Sequence, residues 1–453
     1  MHPKEVSQVE IKNQATRIKL FSLGTPQMRA FHLTWFAFFL CFFGWFGIAP
    51  LMAIVRDDLG LTKTQIGNTI IASVAITILF RLIVGRLCDR FGPRLTYTWL
   101  LIFGSFPVMG IGLSQNYETF LLFRLAIGTI GASFVITQYH TSIMFASNVV
   151  GTANATTAGW GNLGGGVTQL VMPLIFAFMI SLGANQFLGW RLAMVVPGVI
   201  LFLTGIAYYY LTQDAPNGNF KELREKGELP PVTDKEEGSF FLAAKDVRVW
   251  ALFVIYAACF GVELTINNVA ALYFFDRFEL SLATAGLIAS LFGLMNIFAR
   301  TLGGMFSDRF AKSYGLSGRV KLLLCVLLLE SVALIVFSQM SVLILAVSSM
   351  VIFSLFVQMA EGATFGVVPF INKKALGSVA GIVGAGGNAG AVAAGFLFRS
   401  EGLTTQEALM YLGIFVMIAS SFAFLVRFSP ETQAIEDKAF KEAQSDKTAL
   451  LES

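Results

Sequence analysis

Arg81 and Arg300 each interrupt a long apolar run. An ionised side chain at membrane depth faces a cavity or a partner, because hydrocarbon cannot solvate it. Counted from Gly67, Arg81 lies about 21 Å along a helix rising 1.5 Å per residue, too deep for an ordinary boundary charge. The two residues echo each other. Arg81-x-x-x-Gly85-x-x-x-Asp89-Arg90-Phe91 returns 219 residues later as Arg300-x-x-x-Gly304-x-x-x-Asp308-Arg309-Phe310. Two guanidiniums facing one cavity repel each other and lose hydration together. An anion bound by both relieves the two costs, and the planar fork suits a flat oxyanion bidentately. The competing reading is that each arginine snorkels or pairs with a structural acid; neither of their own runs carries an acid at that depth.

Other polar and aromatic residues can complete such a site. Asn162 and Asn388 lie in glycine-rich stretches 226 residues apart, where close backbone approach leaves an amide free to point at a cavity. Gly131-Ala132-Ser133-Phe134 and Gly362-Ala363-Thr364-Phe365 form another echo, 231 apart. Phe134, Phe365, Tyr256 and Phe260 are candidate walls for a planar anion, with Tyr256 and Phe260 one turn apart on one helix face; core packing is the competing role for each. Glu263, Glu361, Arg124 and His140, with Glu330, are buried-run ionisables that either handle protons or belong to structural networks. Asp89 with Arg90, and Asp308 with Arg309, are expected to open tight polar turns and act as a conformational latch; a static salt bridge is the alternative.

The composition sets the solvent. Of 453 residues 55% are hydrophobic and only 13% charged, against about 25% charged in a soluble domain. A chain this apolar is expected to cross a bilayer repeatedly. Thirty-two Lys and Arg against 28 Asp and Glu leave a formal charge of +4 without a basic patch, so nucleic-acid binding has no support. Cys41, Cys88, Cys259 and Cys325 fall in or beside apolar runs and read as buried small hydrophobes. No cluster has metal-ligand spacing and no phosphate-cradling G-x-x-x-x-G-K-[ST] loop occurs, so neither a metal nor another cofactor is expected, nor ATP drive within the chain.

Twelve apolar runs of roughly 20 residues, the length of a membrane-crossing helix, divide six and six around a polar interval. The expected organisation is a cytoplasmic segment 1–30, a six-helix bundle 31–211, a cytoplasmic linker 212–248 with a short interfacial helix, a second bundle 249–427, and a cytoplasmic tail 428–453. The first thirty residues lack the apolar core of a cleavable leader, so the first span is expected to target the chain. Arg86, Arg90, Arg94, Arg309 and Lys321 mark loops on one side, while Gln115–Glu118 and Gln339–Met340 are short and poor in Lys and Arg. Both termini are therefore expected in the cytoplasm. The ordered echoes imply duplicated bundles with a substrate site at their interface near mid-depth.

The twelve-helix plan with the Gly85–Arg94 and Gly304–Arg309 stretches resembles the major facilitator superfamily. Within it, Gly159-Trp160-Gly161-Asn162-Leu163-Gly164-Gly165-Gly166 and Gly384-Ala385-Gly386-Gly387-Asn388-Ala389-Gly390 resemble the paired signatures of nitrate/nitrite porters. Phe260-Gly261-Val262-Glu263-Leu264-Thr265 and Tyr273-Phe274-Phe275-Asp276-Arg277-Phe278 are similar to the high-affinity nitrate transporter branch. The resemblance implies that Arg81 and Arg300 clamp the substrate, that Asn162 sits near it, and that Tyr256, Phe260 and Phe134 line the site. Arg124-x-x-x-Gly128 resembles a motif of proton-coupled members. The implied activity is proton-coupled uptake of nitrate and nitrite across the cell membrane by a non-enzymatic carrier working as a monomer, with an accessory protein needed by some relatives. Nitrate/nitrite exchange, a carrier of another small anion, and a nitrate sensor are the alternatives.

Overall fold

The computed structural model describes residues 13–145, 150–228, 237–372 and 376–434; within its helices the side chains of Asp89 and Asp308 lie outside those described. Among the described residues the chain is helical, with two isolated β-bridges and no strand. Among those residues twelve helices are long and apolar enough to cross a membrane. Spans 1 to 6 are Pro26–Leu59, Lys63–Gly85, Pro93–Leu113, Tyr117–Met144, Thr156–Ser181 and Gln186–Leu211. Spans 7 to 12 are Val247–Phe278, Leu282–Ala311, Ser313–Gln339, Leu343–Val367, Ser378–Arg399 and Thr405–Leu425. An N-terminal unit comprises Met1–Gly60 and Ala72–Asp234, and a C-terminal unit Leu61–Ile71 and Lys235–Ser453. The start of span 2 joins the C-terminal unit through the Thr64 hydroxyl, which donates to the Arg399 carbonyl at 3.1 Å.

Short polar side chains begin the spans. Asn116 and Thr119 form a reciprocal capping box at span 4, and Thr404 and Glu407 do so at span 12. Asn185, Asp246 and Ser281 cap spans 6, 7 and 8. Each cap satisfies a backbone N–H that a helix start leaves without a partner. Among the described residues three spans carry an internal 3-10 turn, one of them in span 1 at Ala49–Leu51. Span 4 tightens into a 3-10 turn at Gly128–Ala132 and span 8 at Met295–Ile297, just before Arg300.

The Gly85–Arg94 stretch departs from expectation. Asp89 and Arg90 do not open a turn; the helix continues to Phe91, and the chain reverses at Gly92, whose φ of +87° only glycine adopts readily. The turn is held by Asp214, which accepts the N–H groups of Arg94 at 2.8 Å and Phe220 at 3.0 Å. Burial pushes the Asp214 carboxyl upward, against the pull of those two N–H groups. Arg224 donates to the Arg90 carbonyl at 2.6 Å from the short helix Phe220–Glu225, the helix anticipated in the linker. In the second copy Asp308 and Arg309 are likewise helical, and the break falls at Gly315 with φ +60°. Continuous i→i−4 bonding outlasts the polar residues until a glycine allows reversal. Arg90 and Arg309 are exposed. Cys325 is also exposed rather than buried, on a side of span 9 that other helices leave uncovered.

Glycines bring the helices of each unit into backbone contact. Spans 8 and 10 meet where a Cβ on Gly303 would lie 2.1 Å from the Met359 carbonyl oxygen, and one on Gly362 2.1 Å from that of Arg300. Spans 7 and 11 meet at Gly386 and Gly390, each 2.3 Å by the same measure from the carbonyls of Phe253 and Ala257. In the N-terminal unit Gly164 abuts the Phe39 carbonyl of span 1 at 2.1 Å. Such approach supplies the packing that apolar burial cannot supply within lipid.

The adjacent pair Gly303 and Gly304 gives a test, since nothing lies within 4 Å of a Cβ on Gly304. Gly303→Ala should destabilise the detergent-solubilised protein by about 1–3 kcal/mol through overpacking. Gly304→Ala should leave it unchanged or slightly more stable through helix propensity. Thermal unfolding curves of the two variants check this; equal midpoints would refute the close-contact account.

Candidate functional site

In the N-terminal unit Arg81 projects from span 2 with its guanidinium carbon 5.4 Å from the centre of the Phe134 ring. Phe134 follows the 3-10 turn of span 4, and its ring lies 5.8 Å from that of Phe38 in span 1. Phe38 in turn fills the space a Cβ on Gly161 would need, 1.9 Å from its Cδ1. The next residue, Asn162, is 1% exposed, and neither atom of its amide has a hydrogen-bond partner among the described residues. Arg81, Phe134 and Asn162 thus occupy the expected spans, while Phe38 was missed: it sits in an aromatic-rich run without a period to single it out.

Two other candidates of this unit carry structural bonds. Arg124 is 1% exposed and donates to the Trp45 carbonyl at 3.1 Å and the Ser73 hydroxyl at 3.2 Å, tying spans 1, 2 and 4. A Cβ on Gly128 would lie 2.2 Å from the Ser73 carbonyl, so the Arg124-x-x-x-Gly128 spacing serves helix contact as well as charge. His140 engages both ring nitrogens, one with the Tyr208 hydroxyl at 2.6 Å and one with the Gln213 carbonyl at 2.9 Å.

The C-terminal unit assembles a denser cluster. Arg300 donates through Nη2 to the Tyr256 hydroxyl at 2.9 Å, and its guanidinium lies 5.8 Å from the centre of the Phe260 ring. Tyr256 and Phe260 stack with centroids 5.2 Å apart and planes 16° from parallel. Phe365 meets Tyr256 edge-on at 5.1 Å. A Cβ on Gly387 would touch the Phe260 ring at 2.3 Å, so only glycine lets span 11 close on this wall. The neighbouring Asn388 is fully buried, with neither amide atom hydrogen-bonded among the described residues.

Arg300 also forms an ion pair with Glu361, Nη2 to Oε2, at 2.7 Å. The absence of an acid from its own run was a poor guide, because the partner comes from span 10. Glu361 precedes Gly362, whose close approach to the Arg300 carbonyl brings spans 8 and 10 within side-chain reach. Glu361 is fully buried and faces the Glu263 carboxyl of span 7. Glu263 accepts a 2.7 Å bond from Asn296, which the 3-10 turn of span 8 presents. Asn296 was not anticipated; a polar residue four before Arg300 in an apolar run was the available signal. Glu330 of span 9 is fully buried with neither carboxyl oxygen hydrogen-bonded among the described residues. Chemically, the cluster offers a guanidinium fork between aromatic walls, an amide donor and carboxyls able to exchange protons.

Among the described residues no group of three or more His, Cys, Asp or Glu could hold a metal ion. The profile of the Major Facilitator Superfamily matches residues 34–314 and 252–452. High affinity nitrate transporter 2.5 of Arabidopsis thaliana is 42% identical over 425 residues, spanning 93% of this chain and 84% of that protein. High-affinity nitrate transporter 2.3 of Oryza sativa subsp. japonica is 40% identical, spanning 92% and 80%. Nitrate/nitrite transporter NrtP of Picosynechococcus is 31% identical, spanning 80% and 83%. Among solved structures, a bacterial homologue of the human lysosomal transporter Spinster superposes with a TM-score of 0.69 at 17% identity, over 89% of this chain and 99% of that one. The xylose transporter XylE from E. coli gives 0.68 at 13% identity, over 90% and 98%. These two show the fold, and the curated relatives narrow the lineage. A multi-pass membrane protein of twelve spans, the chain belongs to the nitrate/nitrite porter family of the major facilitator superfamily.

Proposed function

We propose that this chain imports nitrate, and nitrite as well, across the cell membrane by proton-coupled alternating access, with both termini in the cytoplasm and one copy sufficing. One observation carries the reading: each unit sets a guanidinium deep in a span beside a phenylalanine ring and also holds a buried asparagine amide in a glycine-rich helix. These are Arg81, Phe134 and Asn162 in one unit, and Arg300, Phe260 and Asn388 in the other. Arg81 and Arg300 hold the anion, Tyr256 and Phe365 complete the aromatic lining, and the two amides donate to its oxygens. A flat trigonal anion matches planar forks and ring faces. The relatives named as nitrate and nitrate/nitrite transporters support the substrate.

Proton coupling falls to Glu263 and Glu361, the carboxyls beside Arg300. Arg124 and His140 contribute less directly, since their polar atoms bind neighbouring helices. Moving one negative charge into a negative-inside cell costs about 2.3 kcal/mol per 100 mV. One proton per nitrate cancels that charge and a second makes import electrogenic. The latch at Asp89, Arg90, Asp308 and Arg309 is proposed to govern the conformational switch from the cytoplasmic ends of spans 2 and 8.

Purified protein in proteoliposomes, with labelled nitrate and independent control of pH gradient, voltage and internal nitrite, should accumulate nitrate when a pH gradient is imposed. Accumulation driven by internal nitrite alone would replace symport with exchange. Arg81→Lys and Arg300→Lys keep the charge but lose the fork. Each should raise KM for nitrate about ten- to a hundredfold, the ~1.5–3 kcal/mol of a charge-assisted hydrogen bond. Native saturation kinetics in either variant would remove that arginine from the site.

A further inference from the structure

The guanidinium of Arg300 is already in use. Nη2 serves the Tyr256 hydroxyl and the Glu361 carboxylate, whereas Nη1 is buried and has no hydrogen-bond partner among the described residues. Arg300 is thus half-occupied by a carboxylate of its own chain and keeps an unused donor for another anion. The groups that face Glu361 can be named helix by helix. Span 7 presents Glu263, Tyr256 and Cys259, span 8 presents Arg300, and span 9 presents Glu330. The first part of span 8, Leu282–Leu294, contains no charged residue. Arg300 is the one cation in this set, against three fully buried carboxyls.

From this arrangement we infer that Glu361 is an internal counter-ion which the transported anion displaces from Arg300, and that Glu361 takes up a proton as it is displaced. An incoming oxyanion engages the unused Nη1 first and then competes for Nη2, since a bidentate hold takes two guanidinium donors. Glu361, left without its cation at full burial, is strongly disfavoured as a carboxylate. A proton from solvent adds to one carboxylate oxygen, forming an O–H bond and leaving a neutral acid. Glu263 stands close enough to accept a hydrogen bond from it. Release of the anion returns Arg300 to Glu361 and the proton to solvent. Anion and proton therefore bind cooperatively, and by linkage each strengthens the other to the same extent. The inference rests on the nitrate reading above but makes a separate claim, that a specific carboxyl couples the two.

Isothermal titration of the full-length protein with sodium nitrate, in two buffers of different ionisation enthalpy, counts protons taken up on binding. The native protein should take up about one proton per nitrate, with affinity falling as pH rises through the titration of Glu361. Glu361→Gln should still bind nitrate but without proton uptake and with affinity independent of pH. Equal proton uptake in Glu361→Gln would overturn the assignment, as would nitrate binding to native protein with none. No nitrate binding to native protein would instead overturn the substrate reading, and this one with it. Infrared difference spectra of the native protein supply a readout that needs no variant. Nitrate should raise a protonated-carboxyl C=O band that shifts in heavy water, and a flat carboxyl region would refute the displacement.

Discussion

A guanidinium and a carboxylate held 2.7 Å apart inside a membrane-spanning bundle set the terms for the C-terminal unit. Neither charge is stable there alone, and removing one partner of a buried pair typically costs about 3–5 kcal/mol. Much of the local sequence follows from keeping the two together. Gly303 and Gly362 let spans 8 and 10 touch backbone to backbone, which sets the reach between Arg300 and Glu361. The 3-10 turn before Arg300 turns Asn296 toward Glu263, and Tyr256 supplies the hydroxyl that fixes Nη2. Phe260, Tyr256 and Phe365 pack beside the pair, an apolar setting that strengthens it.

The two halves share motifs but differ at the position of this acid. At the offset relating Gly131 to Gly362, the residue matching Glu361 is Ile130, which is fully buried and packs on Gly104 of span 3. The N-terminal unit keeps the arginine, the phenylalanine and the asparagine of the repeat while placing an alkyl side chain where its counterpart has an acid. Duplication accounts for the matched guanidiniums, and at this matched position only the C-terminal unit carries a carboxylate.

Much of this was readable in the sequence because hydrocarbon is an intolerant solvent. Twelve spans follow from run length alone, and Arg81 and Arg300 stand out because charge is rare around them. Tyr256, Phe260 and Phe365 do converge on Arg300, since a one-turn spacing and a duplicated Gly-Ala-x-Phe motif encode a shared face. What stayed hidden depends on contacts between helices. The acid opposite Arg300 lies 61 residues away in another span, and only the meeting of two glycines brings it near. Asp89 and Asp308 mark polar sequence, not chain reversal, because helical hydrogen bonding runs on to the first glycine that can leave it. Phe38 is one aromatic among many, and its role comes from the void at Gly161.

An internal counter-ion changes what selectivity means on the proposed reading. A bare guanidinium in a low-dielectric site would hold any small anion tightly and release it slowly, whereas Arg300 compares every arrival with Glu361. Only the difference between the two interactions appears as affinity, so binding is strong enough to select and weak enough to turn over. The comparison also limits what can win. A guest must use Nη1, which Glu361 leaves idle, and must fit against stacked rings set by glycine contacts that leave little room for adjustment. A bulky organic phosphate carries more charge for the arginine but meets the Phe260 wall closed down by Gly387, while a flat three-oxygen anion meets both conditions. Selection for a compact planar guest thus follows from the internal carboxylate and the glycines together, and neither suffices alone.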